Sequence, residues 1–181
     1  MRRTLLFLLL ALATPLLLAS EPDFPESLEV DEQTLVLRNE SLLRYLFVDV
    51  YSAALLTPAD ISPTNAVSER SPLHLELYYY RNIDRDDIIK AAWVALERQH
   101  DSGTLERLRP AIDELHATFG DIKSGDRYSL TLSDSQALQL SYNGEVVFTS
   151  DDEELARAYV GIWLEENGLS DRLRQRLLAE R

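Results

Sequence analysis

The segment 125–148 limits the possible folds most strongly, because its apolar residues alternate with polar ones on both sides of an Asn-Gly pair. Such alternation is typical of β-strands that bury one face. Asn143-Gly144 favours the two positive φ angles of a two-residue hairpin turn. We therefore predict three antiparallel strands in a meander. Their apolar positions are Tyr128, Leu130 and Leu132, then Leu138, Leu140 and Tyr142, then Val146 to Phe148.

Two helices are predicted upstream of this meander. Asp84 is a good N-cap for the first helix, whose apolar positions share one helical face and which is expected to end near His100. The second helix is predicted from Thr104 to Gly120. We expect a kink or a break at Pro110, because proline lacks the N–H that an interior helical position donates. Two more helices are expected after the meander.

Three further strands are predicted before these helices. The apolar stretch 42–56 is rich in β-branched and aromatic residues and is interpreted as one long strand covered on both faces, with a helix as the alternative. Residues 73–80 alternate apolar and polar side chains and predict a half-buried strand, and a short strand is expected at 35–37. This order of elements indicates an α+β fold, with helices packed on one side of a mostly antiparallel sheet.

The composition excludes several functional classes. The chain has 181 residues, the length of one domain, and no cysteine, which rules out disulfides, thiolate nucleophiles and cysteine-ligated metal centres. Its 31 acidic residues against 18 Lys and Arg give a formal charge of -13, so it would repel a phosphate backbone, and nucleic-acid binding is not expected. The histidines are not spaced as metal ligands, and we expect neither a metal nor another cofactor.

Residues 1–20 are predicted to be a secretory signal peptide. Two arginines precede an apolar run over residues 5–18, which is too short to span a bilayer as a helix, and small residues follow at 19–20. An uncleaved N-terminal anchor is the alternative. We expect cleavage to leave an extended lead-in at 21–34 and a domain at 35–181, located in the periplasm and without a transmembrane span.

Arg44 is the first candidate site residue, because a guanidinium on the apolar face of a strand is stable only beside an anion. In one continuous strand it shares a face with Leu46, whereas Asp49 and Tyr51 point to the opposite face. Its partner is either an internal carboxylate or the carboxylate of a bound ligand, which would accept a bidentate pair of hydrogen bonds. The sequence leaves both alternatives open.

Tyr78, Tyr79 and Tyr80 form the second group of candidate residues. Two of the three must point away from the core side of their strand. Their hydroxyls could complete an anion site near Arg44, and we predict Tyr78 and Tyr80 as ligand-binding residues. The alternative is that a tyrosine-rich strand end has only high β-propensity and amphipathic packing.

Several segments together resemble the bacterial chalcone isomerase-like domain family, whose members are exported. The stretch 44–55 is similar to the arginine-led strand of that family, 73–81 to its second strand, and 112–126 to a helix and the turn that follows it. Asn143-Gly144 is similar to its hairpin, and 158–164 to its segment containing Ile-Trp-Leu. The resemblance extends over nearly all of the chain that follows the predicted signal peptide.

The resemblance implies an open-faced β-sandwich, in which a layer of helices covers a curved antiparallel sheet and a cleft lies between them. The wider superfamily includes plant chalcone isomerases, which close a flavanone ring by intramolecular conjugate addition, and fatty-acid-binding relatives. In both, the arginine matched here by Arg44 contacts the anionic part of the ligand. The enzymes also carry a Tyr and an Asn on the helix after the second strand. This chain has neither, since that helix begins Asp84-Arg85-Asp86-Asp87 and continues to Ala91-Ala92-Trp93.

The sequence therefore predicts an exported, non-catalytic domain that binds a small amphipathic carboxylate, such as a fatty acid, in the cleft. Arg44 would be its electrostatic anchor, and no catalytic residue is assigned. One alternative is an isomerase or intramolecular lyase of unknown substrate that uses Arg44 and one of Tyr78 to Tyr80. The other is an interaction module of the cell envelope that uses its helical surface and acidic charge.

Overall fold

The computed structural model describes residues 22–180, so the predicted signal peptide at 1–20 lies outside the described residues. Within this range the chain forms seven strands and five helices. The strands are β1 (Ser27–Val30), β2 (Gln33–Tyr45), β3 (Val48–Pro58), β4 (Leu73–Tyr79), β5 (Arg127–Leu132), β6 (Leu138–Tyr142) and β7 (Glu145–Ser150). The helices are α1 (Pro63–Ser68), α2 (Arg85–Gln99), α3 (Ser102–Ala117), α4 (Glu153–Leu164) and α5 (Asp171–Leu177).

The seven strands form one curled sheet in which each strand pairs antiparallel with the next along the chain. The main core lies between one face of this sheet and helices α2 to α5, whose apolar side chains pack against it. The predicted α+β fold, with an antiparallel sheet covered by a layer of helices, is therefore confirmed. No helix within residues 22–180 is long and apolar enough to cross a membrane.

Successive residues of β3 and β4 point to opposite faces of the sheet. Tyr51 pairs with Tyr79 and both face the helices, whereas the neighbouring pair of Ser52 and Tyr78 faces away from them. A second, smaller apolar cluster covers the outer face, and the N-terminal segment contributes Phe24 to it. The sheet thus has a large buried face towards the helices and a partly covered face on the other side.

The prediction of one continuous strand over 42–56 is wrong. The chain reverses at Leu46 and Phe47, where φ is 45° and 68°, and the flanking residues Tyr45 and Val48 pair with each other. The turn was missed because it contains no Gly, Asn, Asp or Pro, the residues that normally mark a hairpin. The short strand expected at 35–37 is likewise part of β2, which continues through a bulge beside Asn39.

The segment 21–34, predicted as an extended lead-in, contributes β1 and the start of β2 to the sheet. The β5–β6–β7 meander and its Asn143-Gly144 turn are confirmed, as are helix α2 and its end at His100. Of the kink or break predicted at Pro110, the break is wrong, since α3 continues through this residue. The apolar stripe of α3 is buried in the core, and this packing outweighs the hydrogen bond that proline removes.

Candidate functional site: a cavity between the sheet and the helices

A cavity of about 600 Å³ lies between the helix-facing side of the sheet and helices α2 and α4. Its walls are mostly apolar, and its volume falls within the ~300–1,000 Å³ that is usual for small-molecule sites. The small side chains of Ala91 and Ala92 on α2 leave space above the strands. Among the larger apolar residues that line it are Leu75, Leu77 and Leu130 from the sheet and Ile88, Ile162 and Trp163 from the helices.

Exposed lining residues mark the opening of the cavity. Arg44 and Tyr45 reach it from the end of β2, and Asp87 reaches it from the first turn of α2. The guanidinium of Arg44 donates from Nε to the Asp49 carboxylate at 2.5 Å, and the two side chains are 64% and 45% exposed. Asp49 was expected on the opposite face, but the hairpin places it directly across from Arg44. For Arg44 the sequence left two alternative partners open, an internal carboxylate and a ligand carboxylate. Asp49 is the internal carboxylate.

Arg44 keeps donors available beyond this ion pair. Asp49 occupies only Nε, and the two terminal nitrogens of the guanidinium make no hydrogen bond with any residue in 22–180. An exposed ion pair of this kind contributes about 0–1 kcal/mol to stability. A second carboxylate that arrives at the opening can therefore bind the free edge of the guanidinium, or replace Asp49, at little energetic cost.

Four buried tyrosines line the interior of the cavity: Tyr51, Tyr79, Tyr128 and Tyr159. The Tyr51 and Tyr79 rings lie 5.4 Å apart, and those of Tyr79 and Tyr128 lie 6.5 Å apart. Burial raises the pKa of all four hydroxyls above the ordinary value. They remain neutral phenols at physiological pH and offer hydrogen-bond donors without charge.

The hydroxyls of these tyrosines differ in their partners. The Tyr51 hydroxyl accepts a hydrogen bond from Trp163 Nε1 at 3.1 Å, and the Tyr159 hydroxyl lies 3.1 Å from His116 Nε2. Within residues 22–180 the Tyr79 hydroxyl has no hydrogen-bond partner. Because Tyr79 lines the cavity, its hydroxyl is an unused donor and acceptor for a ligand there.

His116 supports the cavity from behind Tyr159. Burial lowers its pKa to about 4, with the negative charge of Asp113 opposing and the positive charge of Arg85 reinforcing that shift. The imidazole is therefore neutral at physiological pH and holds the Tyr159 hydroxyl in place. Its role here is to position a lining side chain.

Comparison with known proteins defines the family. The family model described as chalcone isomerase-like matches residues 19–179, which is nearly the whole chain. This chain belongs to the chalcone isomerase-like family. The solved structure of a fatty-acid-binding protein of Arabidopsis thaliana is similar, with a TM-score of 0.59 and 17% identity over 86% of this chain and 90% of that one. At that identity the likeness shows the fold. No curated protein matches the sequence.

In this chalcone isomerase-like chain the predicted site residues do not all meet. Arg44 lines the cavity, whereas Tyr78 and Tyr80 lie on the other side of the sheet. Their rings contact each other at 5.2 Å, and the Tyr80 hydroxyl bonds to Ser52 Oγ at 2.9 Å. The member of the triplet that lines the cavity is Tyr79. Its position continues the alternation of Leu73, Leu75 and Leu77, and that signal was available in the sequence.

Sequence reasoning also missed three other lining tyrosines. Tyr51 was placed in one continuous strand, on the face opposite Arg44, because the hairpin at Leu46 and Phe47 was not expected. Tyr128 was predicted as an apolar strand position, and Tyr159 lies in the segment 158–164 that was noted for its resemblance. Only the tertiary structure shows that both residues line one cavity. No group of three or more metal-ligating side chains lies together in the part of the chain that the structure describes. The site is thus an apolar cavity with neutral donors inside and one cation at its opening.

Proposed function

We propose that this chalcone isomerase-like chain is a non-catalytic domain that binds a small amphipathic carboxylate, with an acyl-like chain inside the cavity and the carboxylate at Arg44. The observation that carries the proposal is the combination of an apolar cavity with a single arginine among its lining residues. An apolar interior favours hydrocarbon by the hydrophobic effect, and a guanidinium at the opening favours an anion that stays in contact with water.

The lining supports an uncharged ligand body. The four lining tyrosines are neutral, and the only acidic lining side chain, Asp87, lies exposed at the opening. An ionised group deep in this cavity would have no counter-charge, and burying it would be strongly unfavourable. The anionic end of the ligand therefore belongs near Arg44. The similar Arabidopsis protein is described as fatty-acid binding, which supports the same class of ligand for this chain.

The test is the recovery of the ligand from the protein purified from its host. Denaturing extraction followed by mass spectrometry should find acyl carboxylates in the wild type. Arg44→Ala should bind the recovered carboxylate at least about tenfold more weakly, since a hydrogen bond to a charged group contributes about 1.5–3 kcal/mol.

Arg107→Ala is the matched control. Arg107 is also an exposed arginine in an ion pair, with Glu154 at 2.8 Å, but it lies on α3 away from the cavity lining. This variant should retain wild-type binding. A wild-type protein that carries no amphipathic molecule, or equal losses in both variants, would contradict the proposal.

A second candidate is an isomerase of unknown substrate, because Arg44 and Tyr79 line the same cavity. Incubation of the recovered ligand with wild-type protein and with Tyr79→Phe tests it. Conversion to an isomer, seen as a shift in chromatographic retention at unchanged mass and lost in Tyr79→Phe, would favour the enzyme. An unchanged ligand favours the binding protein.

We also propose that residues 1–20 direct export to the periplasm, where the domain would meet its ligand. The positively charged start and the short apolar run of this segment support that location. N-terminal sequencing of the protein from a periplasmic fraction should begin at Glu21. Recovery of the full-length chain from the cytoplasm would contradict this.

A further inference from the structure

The tip of the β2–β3 hairpin is unusually apolar for an exposed turn. Tyr45, Leu46 and Phe47 are 69%, 74% and 100% exposed. They form the only run of consecutive exposed large apolar side chains in residues 22–180, where the other two such residues, Val94 and Val146, stand singly. Single exposed apolar residues are normal on soluble proteins, but contiguous ones mark interaction surfaces.

The backbone of the tip adds a second observation. Leu46 and Phe47 both adopt positive φ, a conformation that costs a non-glycine residue about 1–2 kcal/mol. Residues suited to this turn, such as Asn and Gly, would remove that strain. The tip therefore retains two bulky apolar side chains in an unfavourable conformation and in contact with water, although neither side chain contributes to the core.

The tip is continuous with the opening of the cavity. Leu43, Arg44 and Tyr45 line the cavity, and the exposed side chains of Leu46 and Phe47 follow directly in the chain. A surface that contacts the tip therefore lies next to the place where a ligand enters or leaves.

We infer that residues 45–47 dock on the surface of a neutral or zwitterionic lipid bilayer and hold the opening of the cavity against it. The inference rests on the proposed function, since it adds the source from which the amphipathic ligand is taken. A two-residue turn is too small for a stable protein interface, which needs about 800 Å² on each partner. Three protruding apolar side chains, one of them a tyrosine, are well suited to the boundary between headgroups and acyl chains.

The charge of the chain decides which lipid it meets. The chain carries a formal charge of -13, and an anionic surface would repel it. At the base of the tip, Arg44 and Asp49 neutralise each other, and Asp87 is the further acid at the opening. The tip thus has no excess of basic residues with which to attract anionic headgroups, and its affinity must come from apolar burial.

Flotation with phosphatidylcholine vesicles tests this inference. Wild-type protein should float with the vesicles, and the double variant Leu46→Asn with Phe47→Gly should partition at least about tenfold more weakly, because two apolar side chains are lost. This variant retains a folded hairpin, since Asn-Gly favours the same turn. Val146→Ser is the control, because Val146 is a 54% exposed apolar residue beside the other hairpin turn. It should float like the wild type.

Four results would overturn the inference: no flotation of the wild type, equal flotation of the double variant, stronger binding to vesicles that contain phosphatidylglycerol, or a dimer that the double variant alone converts to a monomer. The last result would assign the tip to a second copy of the chain. Extraction of the ligand separates this test from the proposed function. Protein that carries an acyl carboxylate but does not float contradicts the docking alone, whereas protein that floats but carries no ligand contradicts the binding alone.

Discussion

Two hairpin turns of the same sheet reach a similar backbone conformation with opposite kinds of residue. At the β6–β7 turn, Asn143 and Gly144 have φ of 50° and 84°, and at the β2–β3 turn, Leu46 and Phe47 have φ of 45° and 68°. Positive φ at both central positions characterises the type I′ turn, which matches the twist of the strands it joins. The first turn uses the residues that prefer this conformation, and the second uses residues that disfavour it.

The surroundings explain how both turns form. Asn143 accepts a hydrogen bond from the Arg127 N–H at 2.8 Å and donates to Asp126 at 3.0 Å, so side chains support the short strands β6 and β7. The side chains of Leu46 and Phe47 make no hydrogen bond with any residue in 22–180, and beside this turn the exposed Arg44–Asp49 pair links the two strands. However, β2 and β3 are 13 and 11 residues long. A long ladder of hydrogen bonds can impose a turn that its own residues resist, whereas a short ladder needs a favourable turn.

Exchange of the turn residues should have its largest effect at the β6–β7 turn. We expect Asn143→Leu with Gly144→Phe to lower the free energy of unfolding by about 3 kcal/mol, through two strained residues and the lost hydrogen bonds of Asn143. Urea unfolding followed by circular dichroism measures this change. A loss below about 1 kcal/mol would mean that this turn, too, is imposed by its strands.

The reverse exchange should stabilise the protein. Leu46→Asn with Phe47→Gly relieves the strain at two positive-φ positions and removes no buried side chain. We expect the free energy of unfolding to rise by only about 1 kcal/mol, because the entropy that glycine adds to the unfolded chain offsets part of the relieved strain. The same urea titration applies. A destabilised variant would show that Leu46 and Phe47 contribute to the fold itself, which would contradict their assignment to a docking surface.

The smallest expected effect concerns the carboxylate that supports the β6–β7 turn. Burial tends to raise the pKa of Asp126, but hydrogen bonds from Asn143, the Lys123 N–H and Tyr142 outweigh burial and hold its pKa below the ordinary value of 3.8. A carboxyl with a lowered pKa stabilises the fold above its unfolded-state value, and this contribution is lost as the pH falls through the folded-state value.

Asp126→Asn should therefore be less stable than the wild type at pH 6, by less than about 1 kcal/mol because the site is partly exposed. The difference should shrink towards pH 3. Urea unfolding of both proteins at the two pH values measures it, and the comparison cancels the titration of the other acidic residues. A difference that stays constant with pH would show that Asp126 acts through its shape and not through its charge.

The same contrast explains which parts of the fold were predictable. The Asn143-Gly144 turn, its flanking strands and helix α2 were predicted correctly, because turn preference, alternation and helical periodicity are local properties. The hairpin at Leu46 and Phe47 was missed because long-range pairing overrode the local preference. Because one continuous strand was predicted there, Asp49 and Tyr51 were placed on the face opposite Arg44. The ion pair between Arg44 and Asp49 was therefore not predicted.

The candidate site shows the same limit. Arg44 could be singled out because an isolated cation in an apolar segment is visible in the sequence, and the structure places it among the residues that line the cavity. The choice of Tyr78 and Tyr80 over Tyr79 depended on which face of the strand meets the helices. The alternation of leucines in β4 indicates that face, but it does not show that a cavity lies there.

The amino-acid sequence by itself determined the class of this protein: an acidic, cysteine-free α+β domain of the chalcone isomerase-like family, with a hairpin at Asn143-Gly144. Only the tertiary structure decided that the chain turns at Leu46 and Phe47, that Arg44 pairs with Asp49, and that four tyrosines line one cavity. The physical reason is that propensity and periodicity act over a few neighbouring residues. A cavity and its opening depend on how distant strands and helices pack together, and no local pattern encodes that packing.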